Sequence, residues 1–109
     1  MSETQTKIKV DTTIQPPPMF KVVYVNDDQT SMEFVIESLI NFFDYDQVSA
    51  EHITVDIHQN GQAAVAVLPY EIAEQKGIEI TVTARQAGYP LQIKLELKIH
   101  EHSARRFSN

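Results

Sequence analysis

Cysteine is absent from the chain, which excludes disulfide staples, thiolate zinc sites and cysteine nucleophiles at once and fits a reducing compartment. Lys and Arg are absent between Lys21 and Lys76. Half the chain therefore offers phosphate no counter-charge, and nucleic acid is not an expected partner. Long apolar runs are missing too, and Met1 to Ile14 mixes Glu3, Lys7, Lys9 and Asp11 with threonines. Neither a signal peptide nor a membrane span is expected, which places the protein in the cytoplasm. Repeats and low-complexity bias are likewise lacking.

What is present is modest. With 109 residues, 42% of them apolar, the chain has enough for one core and so for one small domain. Its net charge of -6 is concentrated in the cation-free segment, which holds Asp27, Asp28, Glu33, Glu37, Asp44, Asp46, Glu51, Asp56, Glu71 and Glu74. Such a segment attracts a protonated amine or a basic peptide; a solubilising acidic surface is the plainer alternative.

Residues 1 to 18 are polar and end in Pro16, Pro17 and Pro18, a run that favours extended polyproline conformation and reads as a flexible tail. Phe20 to Val25 is β-branched and aromatic, stops at Asn26-Asp27-Asp28, and reads as a strand followed by a turn. Thr30 to Glu33 has capping-box form, with Thr30 as the cap. Met32, Val35, Ile36, Leu39 and Phe43 follow at helical spacing, which predicts a helix from about Ser31 to Phe43.

Ser49 to His58 is ambiguous. Ile53, Val55 and Ile57 alternate with Thr54, Asp56 and His58, which favours a strand, and a helix from about Gln47 to Gln59 competes with it. Gln62 to Leu68 suits a buried strand. Pro69 suits the first turn of a helix whose stripe is Ala73, Gly77, Ile80, Ala84 and Ala87, ended by Gly88 and Pro90. Leu91 to Ile99 alternates strictly, one face core and one wet. Beyond it lies a polar C-terminal tail, residues 100–109. These elements make an α+β domain over residues 19–99, a three-stranded sheet with helices on one side.

No catalytic pattern emerges from the residues alone. The Asn26-Asp27-Asp28 cluster suits a metal or an amine, but equally a turn and a helix cap. His58 has no serine, cysteine or threonine in a nucleophile motif, and no water-activating metal cluster goes with it. His100 and His102 have no fixed third ligand. Neither an enzyme nor a cofactor site is expected.

The run from Phe20 to Ile36 closely resembles the strand, turn and helix of the ClpS family, with its signature V-N-D-D-x-T-x-M-E-F-V. The likeness continues through Phe42-Phe43, His58-x-x-Gly61 with Ala63, Glu71-Ile-Ala-Glu-x-Lys76 and Tyr89-Pro90-Leu91, covering about Pro17 to Leu97. It implies the order strand, helix, helix, strand, helix, strand with an antiparallel sheet, and so makes Gln47 to Gln59 a helix.

The resemblance also implies an adaptor that delivers N-degron substrates to a Clp protease. Asn26, Asp27 or Asp28, and His58 match the positions that receive the substrate's α-amino group. Val25, Thr30, Met32, Val35, Thr54, Ile57 and Leu91 match those around its first side chain, favouring Phe, Tyr, Trp and Leu. Glu71 and Lys76 match positions that dock the N-terminal domain of a ClpA- or ClpC-type AAA+ unfoldase, and the tail 1–18 matches an extension that engages the unfoldase during handover. A monomer is the default for such an adaptor. An α-ammonium, with three donors and a pKa of about 8, needs such acceptors.

Two departures stand out: Thr54 replaces a residue that is often methionine, implying a wider or more polar pocket, and the chain after Lys98 runs past the usual family end. A domain of the same fold with altered or lost N-terminal specificity, modulating an AAA+ partner, is the alternative.

Overall fold

The computed structural model describes residues 15–99; the expectations for the tail before residue 15, and for His100 and His102, fall outside it. Strand β1 (Met19–Val25) leads through a turn to helices α1 (Met32–Phe43) and α2 (Gln47–Asn60), then strand β2 (Gln62–Pro69), helix α3 (Tyr70–Gln86) and strand β3 (Gln92–Leu97). The sheet order is β2-β1-β3, both pairings antiparallel. Because β1 is central, its Val22, Val23 and Tyr24 are all buried.

Alternation sorts the sheet's two faces. Phe20, Val22 and Tyr24 of β1 stand beside Leu97, Leu95 and Ile93 of β3 and turn to the helices, where Val22 and Tyr24 join Val35, Leu39, Ile57, Ala73, Ile80 and Ala84 in one core. The opposite face carries the Lys21–Glu96 and Lys94–Glu96 ion pairs. A bulge after Val22 shifts β2's register from Ala66 to Ala64. The extra residue, Val65, is buried, and its carbonyl accepts a hydrogen bond from the Tyr45 hydroxyl of the α1–α2 loop.

Four details of the sequence reading are corrected. The cap of α1 is Ser31, whose Oγ accepts from the Phe34 amide at 3.0 Å. The Thr30 hydroxyl donates instead to Asp27 Oδ2 at 2.8 Å. Pro69 is the cap residue of α3 rather than part of its first turn, and Ala87 lies beyond the helix and is exposed. Strand β3 is shorter than Leu91 to Ile99, and of the alternating set Leu91 is in the core and Ile93 and Leu95 pack on it, whereas the helix layer does not reach Leu97 and Ile99, which are 53% and 68% exposed.

Helix α2 settles the ambiguous stretch. Asp46 caps its start by accepting from the Ser49 amide at 2.7 Å, and Gly61 at φ 86 closes its end. Its buried residues are Ala50, Thr54 and Ile57, whose i, i+4, i+7 spacing is a helical stripe, while Val55 is exposed. The strand-like alternation was a coincidence of β-branched residues on several helix faces.

Candidate functional site

The register of the sheet brings the candidate residues together. Val25, the last residue of β1, pairs with Gln62 on one side and Gln92 on the other. The residues just after Val25, just before Gln62 and just before Gln92 must therefore meet at one end of the sheet. They are Asn26 to Asp28, His58 to Gly61, and Leu91. A backbone hydrogen bond from Asn26 N to Gly61 O, 2.9 Å, joins the first two groups directly.

The turn is organised by Asp27. Its Oδ1 accepts from the amides of Gln29 at 2.8 Å and Thr30 at 2.7 Å, and its Oδ2 takes the Thr30 hydroxyl. Desolvation is the largest single influence on its carboxyl and opposes ionisation. The hydrogen bonds from Thr30 and Gln29, with the charge of Arg85, together outweigh it and hold the carboxyl below its ordinary value. Asp27 is thus committed to the turn, whereas Asn26 and Asp28 are exposed.

His58 is exposed in the last turn of α2, close to the negative end of that helix's dipole. The N-terminus of α1, its positive end, follows the two aspartates. Carboxylates therefore sit where anions are favoured and His58 sits where a cation is favoured, each effect amounting to about 0.3–1 kcal/mol.

The side-chain candidates differ in exposure. Met32 is exposed, Val25 and Thr30 are half-buried, and Val35, Thr54, Ile57 and Leu91 are buried. Thr54 is neutral in this setting: its hydroxyl donates to the Ala50 carbonyl at 2.8 Å, so its hydrogen-bonding need is met within α2. Beneath Val35 lies a group that sequence reasoning missed. The buried Tyr24 hydroxyl meets Ser38 Oγ at 2.8 Å, and Ser38 Oγ donates to the Val35 carbonyl at 2.8 Å. Burial pushes the Tyr24 hydroxyl far above its ordinary value, only partly offset by Ser38. An interior Tyr 14 residues from its Ser partner leaves no local signal in the sequence.

Glu71 and Lys76 are not part of this site. They lie on the first turns of α3, Glu71 exposed and Lys76 half-buried. Helix α3 starts beside Pro69, which pairs with Met19 at the opposite end of β1. A seven-residue strand separates the two ends, a span of about 20 Å. A separate groove of about 290 Å³ between α3 and β3, lined by Gly77, Ile78, Thr81, Val82, Ile93 and Leu95 among others, contains none of the candidate residues. Among the described residues no group of three His, Cys, Asp or Glu is placed to hold a metal ion, and no helix is long and apolar enough to cross a membrane.

Residues 15–94 match the family model of the ATP-dependent Clp protease adaptor protein ClpS. The chain belongs to the ClpS family. It is 46% identical over 88 residues to the ATP-dependent Clp protease adapter protein ClpS of Clostridium acetobutylicum, covering 81% of this chain and 87% of that protein. It is 43% identical over 93 residues to the ClpS of Nautilia profundicola, covering 85% and 96%. Among solved structures it resembles Agrobacterium tumefaciens ClpS2 bound to L-phenylalaninamide, with a TM-score of 0.74 and 34% identity over 76% of this chain and 100% of that one. The ClpS resemblance in the sequence is thereby established, as is the element order it implied, including helix α2. At the level of the family, the chain is an adaptor of a Clp protease rather than the protease itself.

Proposed function

We propose that this ClpS-family protein binds the free α-amino group and bulky apolar first side chain of N-degron substrates and delivers them to a ClpA- or ClpC-type AAA+ unfoldase. The observation that carries the reading is the convergence of Asn26, Asp28 and His58 at one end of the sheet, with Val35, Ile57 and Leu91 buried together in the core. The Agrobacterium relative's ligand, L-phenylalaninamide, combines the two features such a site would read: a free α-amine and a benzyl side chain.

Roles follow from what each group has left to offer. Asn26 Oδ1, the Asp28 carboxylate and a His58 ring nitrogen accept the three ammonium hydrogens. Of the two aspartates Asp28 is favoured for this role, because Asp27 Oδ1 already accepts two amides and its Oδ2 the Thr30 hydroxyl. Val25, Thr30, Met32, Val35, Thr54, Ile57 and Leu91 surround the side chain, favouring Phe, Tyr, Trp and Leu. Burying that side chain contributes about 1.5–3 kcal/mol; together with the charge-assisted amine bonds this brings an otherwise extended N-terminus to micromolar affinity.

Glu71 and Lys76 contact the unfoldase's N-terminal domain, and their position at the far end of β1 leaves both surfaces free to act together. Residues 1–18 serve handover, residues 19–99 form the adaptor domain, residues 100–109 are a separate tail, and the working state is a cytoplasmic monomer.

Fluorescence anisotropy with peptides differing only in their first residue tests this. Micromolar binding of Phe, Tyr, Trp and Leu starts, lost on N-acetylation and weakened at least about tenfold in His58→Ala, is expected. Failure of every free N-terminus to bind overturns it.

A further inference from the structure

We propose that Arg85 is a positioning residue of the amine and side-chain site, acting on Leu91 through the backbone of the loop before β3. This inference rests on the reading of that site given above. Arg85 lies in the last turn of α3. Its Nη1 donates to the Tyr89 carbonyl at 3.0 Å and to the Leu91 carbonyl at 2.8 Å. One cationic nitrogen thus grips both ends of a three-residue loop whose middle residue, Pro90, has no amide hydrogen to anchor it. The same loop is held from α3 by Tyr89 N donating to the Ala84 carbonyl at 2.8 Å and from α1 by the Phe34 and Tyr89 rings, 5.2 Å apart between centroids.

The loop's direction matters because Leu91, 1% exposed, is one of the side-chain candidates. A carbonyl displaced at Leu91 would swing its side chain relative to Val35 and Ile57. The charge of Arg85 is also the smallest of the influences that lower the Asp27 carboxyl. A single guanidinium therefore fixes the loop before β3, one of the segments that flank the site.

Two variants test this role. Arg85→Met keeps the aliphatic stem but removes charge and donors. Arg85→Lys keeps the charge, but on a shorter side chain that lacks the planar Nη1 aiming one hydrogen at each carbonyl. In Arg85→Met, affinity for a Phe-starting peptide is expected to fall about tenfold, and exchange of the Tyr89 amide, which donates to Ala84 from the same loop, to accelerate. Arg85→Lys is expected to leave that exchange fast and the affinity lowered.

Unchanged Tyr89 amide exchange in Arg85→Met, or an affinity within about twofold of the parent, overturns the proposal. If Arg85→Met does not fold, the Lys variant decides by its amide exchange, which must differ from the parent. If the parent binds no free N-terminus, the functional reading fails by itself, and the ligand-free exchange still decides what Arg85 holds.

Discussion

At the residue scale, the same side-chain types serve different ends according to their spare hydrogen-bonding capacity. Asp27 and Asp28 are neighbours in sequence, yet one is consumed by its own turn and the other is free. Thr54 is similarly self-contained, so it presents volume rather than polarity. Replacing it by Met is expected to narrow the pocket and raise the preference for Phe over Ile and Val starts. Equal affinity ratios in the two proteins, measured by anisotropy, would refute this. Tyr24→Phe tests the hidden network: Ser38 keeps its bond to Val35, so the loss is one hydrogen bond of about 1 kcal/mol, read as a melting temperature lower by about 4–8 °C. An unchanged melting temperature would show that the Tyr24 hydroxyl contributes nothing net.

At the element scale, short capping interactions decide where helices begin and end. Ser31→Ala removes the acceptor for the Phe34 amide and is expected to cost about 1 kcal/mol in chemical denaturation. Thr30→Ser keeps the hydroxyl that reaches Asp27 and should be close to neutral; a reversed order of the two would restore Thr30 as the cap. Gly61 closes α2 at φ 86, and a Cβ built there meets nothing within 4 Å. Gly61→Ala therefore carries only the left-handed backbone cost, about 1 kcal/mol, and it does so where Asn26 is tethered. Weakened peptide binding alongside that stability loss is the expected result.

For the whole molecule, stability should fall at both ends of the pH scale for different reasons. Asp27 and Asp46 are held below the ordinary value of 3.8 by hydrogen bonds made only in the folded chain. Their contribution is present in full above that value and is lost as pH falls through the depressed folded values. Tyr24 is raised above 10.0 by burial. Its contribution is present in full below pH 10.0 and is lost as pH climbs toward the raised value, because only the unfolded chain ionises there. Melting temperature against pH should be flat between these limits. The alkaline decline should shrink in Tyr24→Phe, and its persistence undiminished would assign it to another group.

Much of this architecture was legible from residue order. β1, α1, α3 and β3 each carry a period, a cap or a stop that acts over a few residues, and such local terms survive without tertiary contacts. The run from Val25 to Val35 likewise displayed the family signature and with it Asn26, Asp28 and Met32. Helix α2 was different: its β-branched residues alternate as in a strand, and only packing of Ala50, Thr54 and Ile57 against the core decides for a helix. The backbone geometry of the turn, over two or three residues, separated Asp27 from Asp28 and moved the cap from Thr30 to Ser31. Tertiary structure alone joined Tyr24 to Ser38 and decided that Leu91, behind the loop that Arg85 holds, is buried, because packing of helix on strand sets distances that spacing along the chain does not contain.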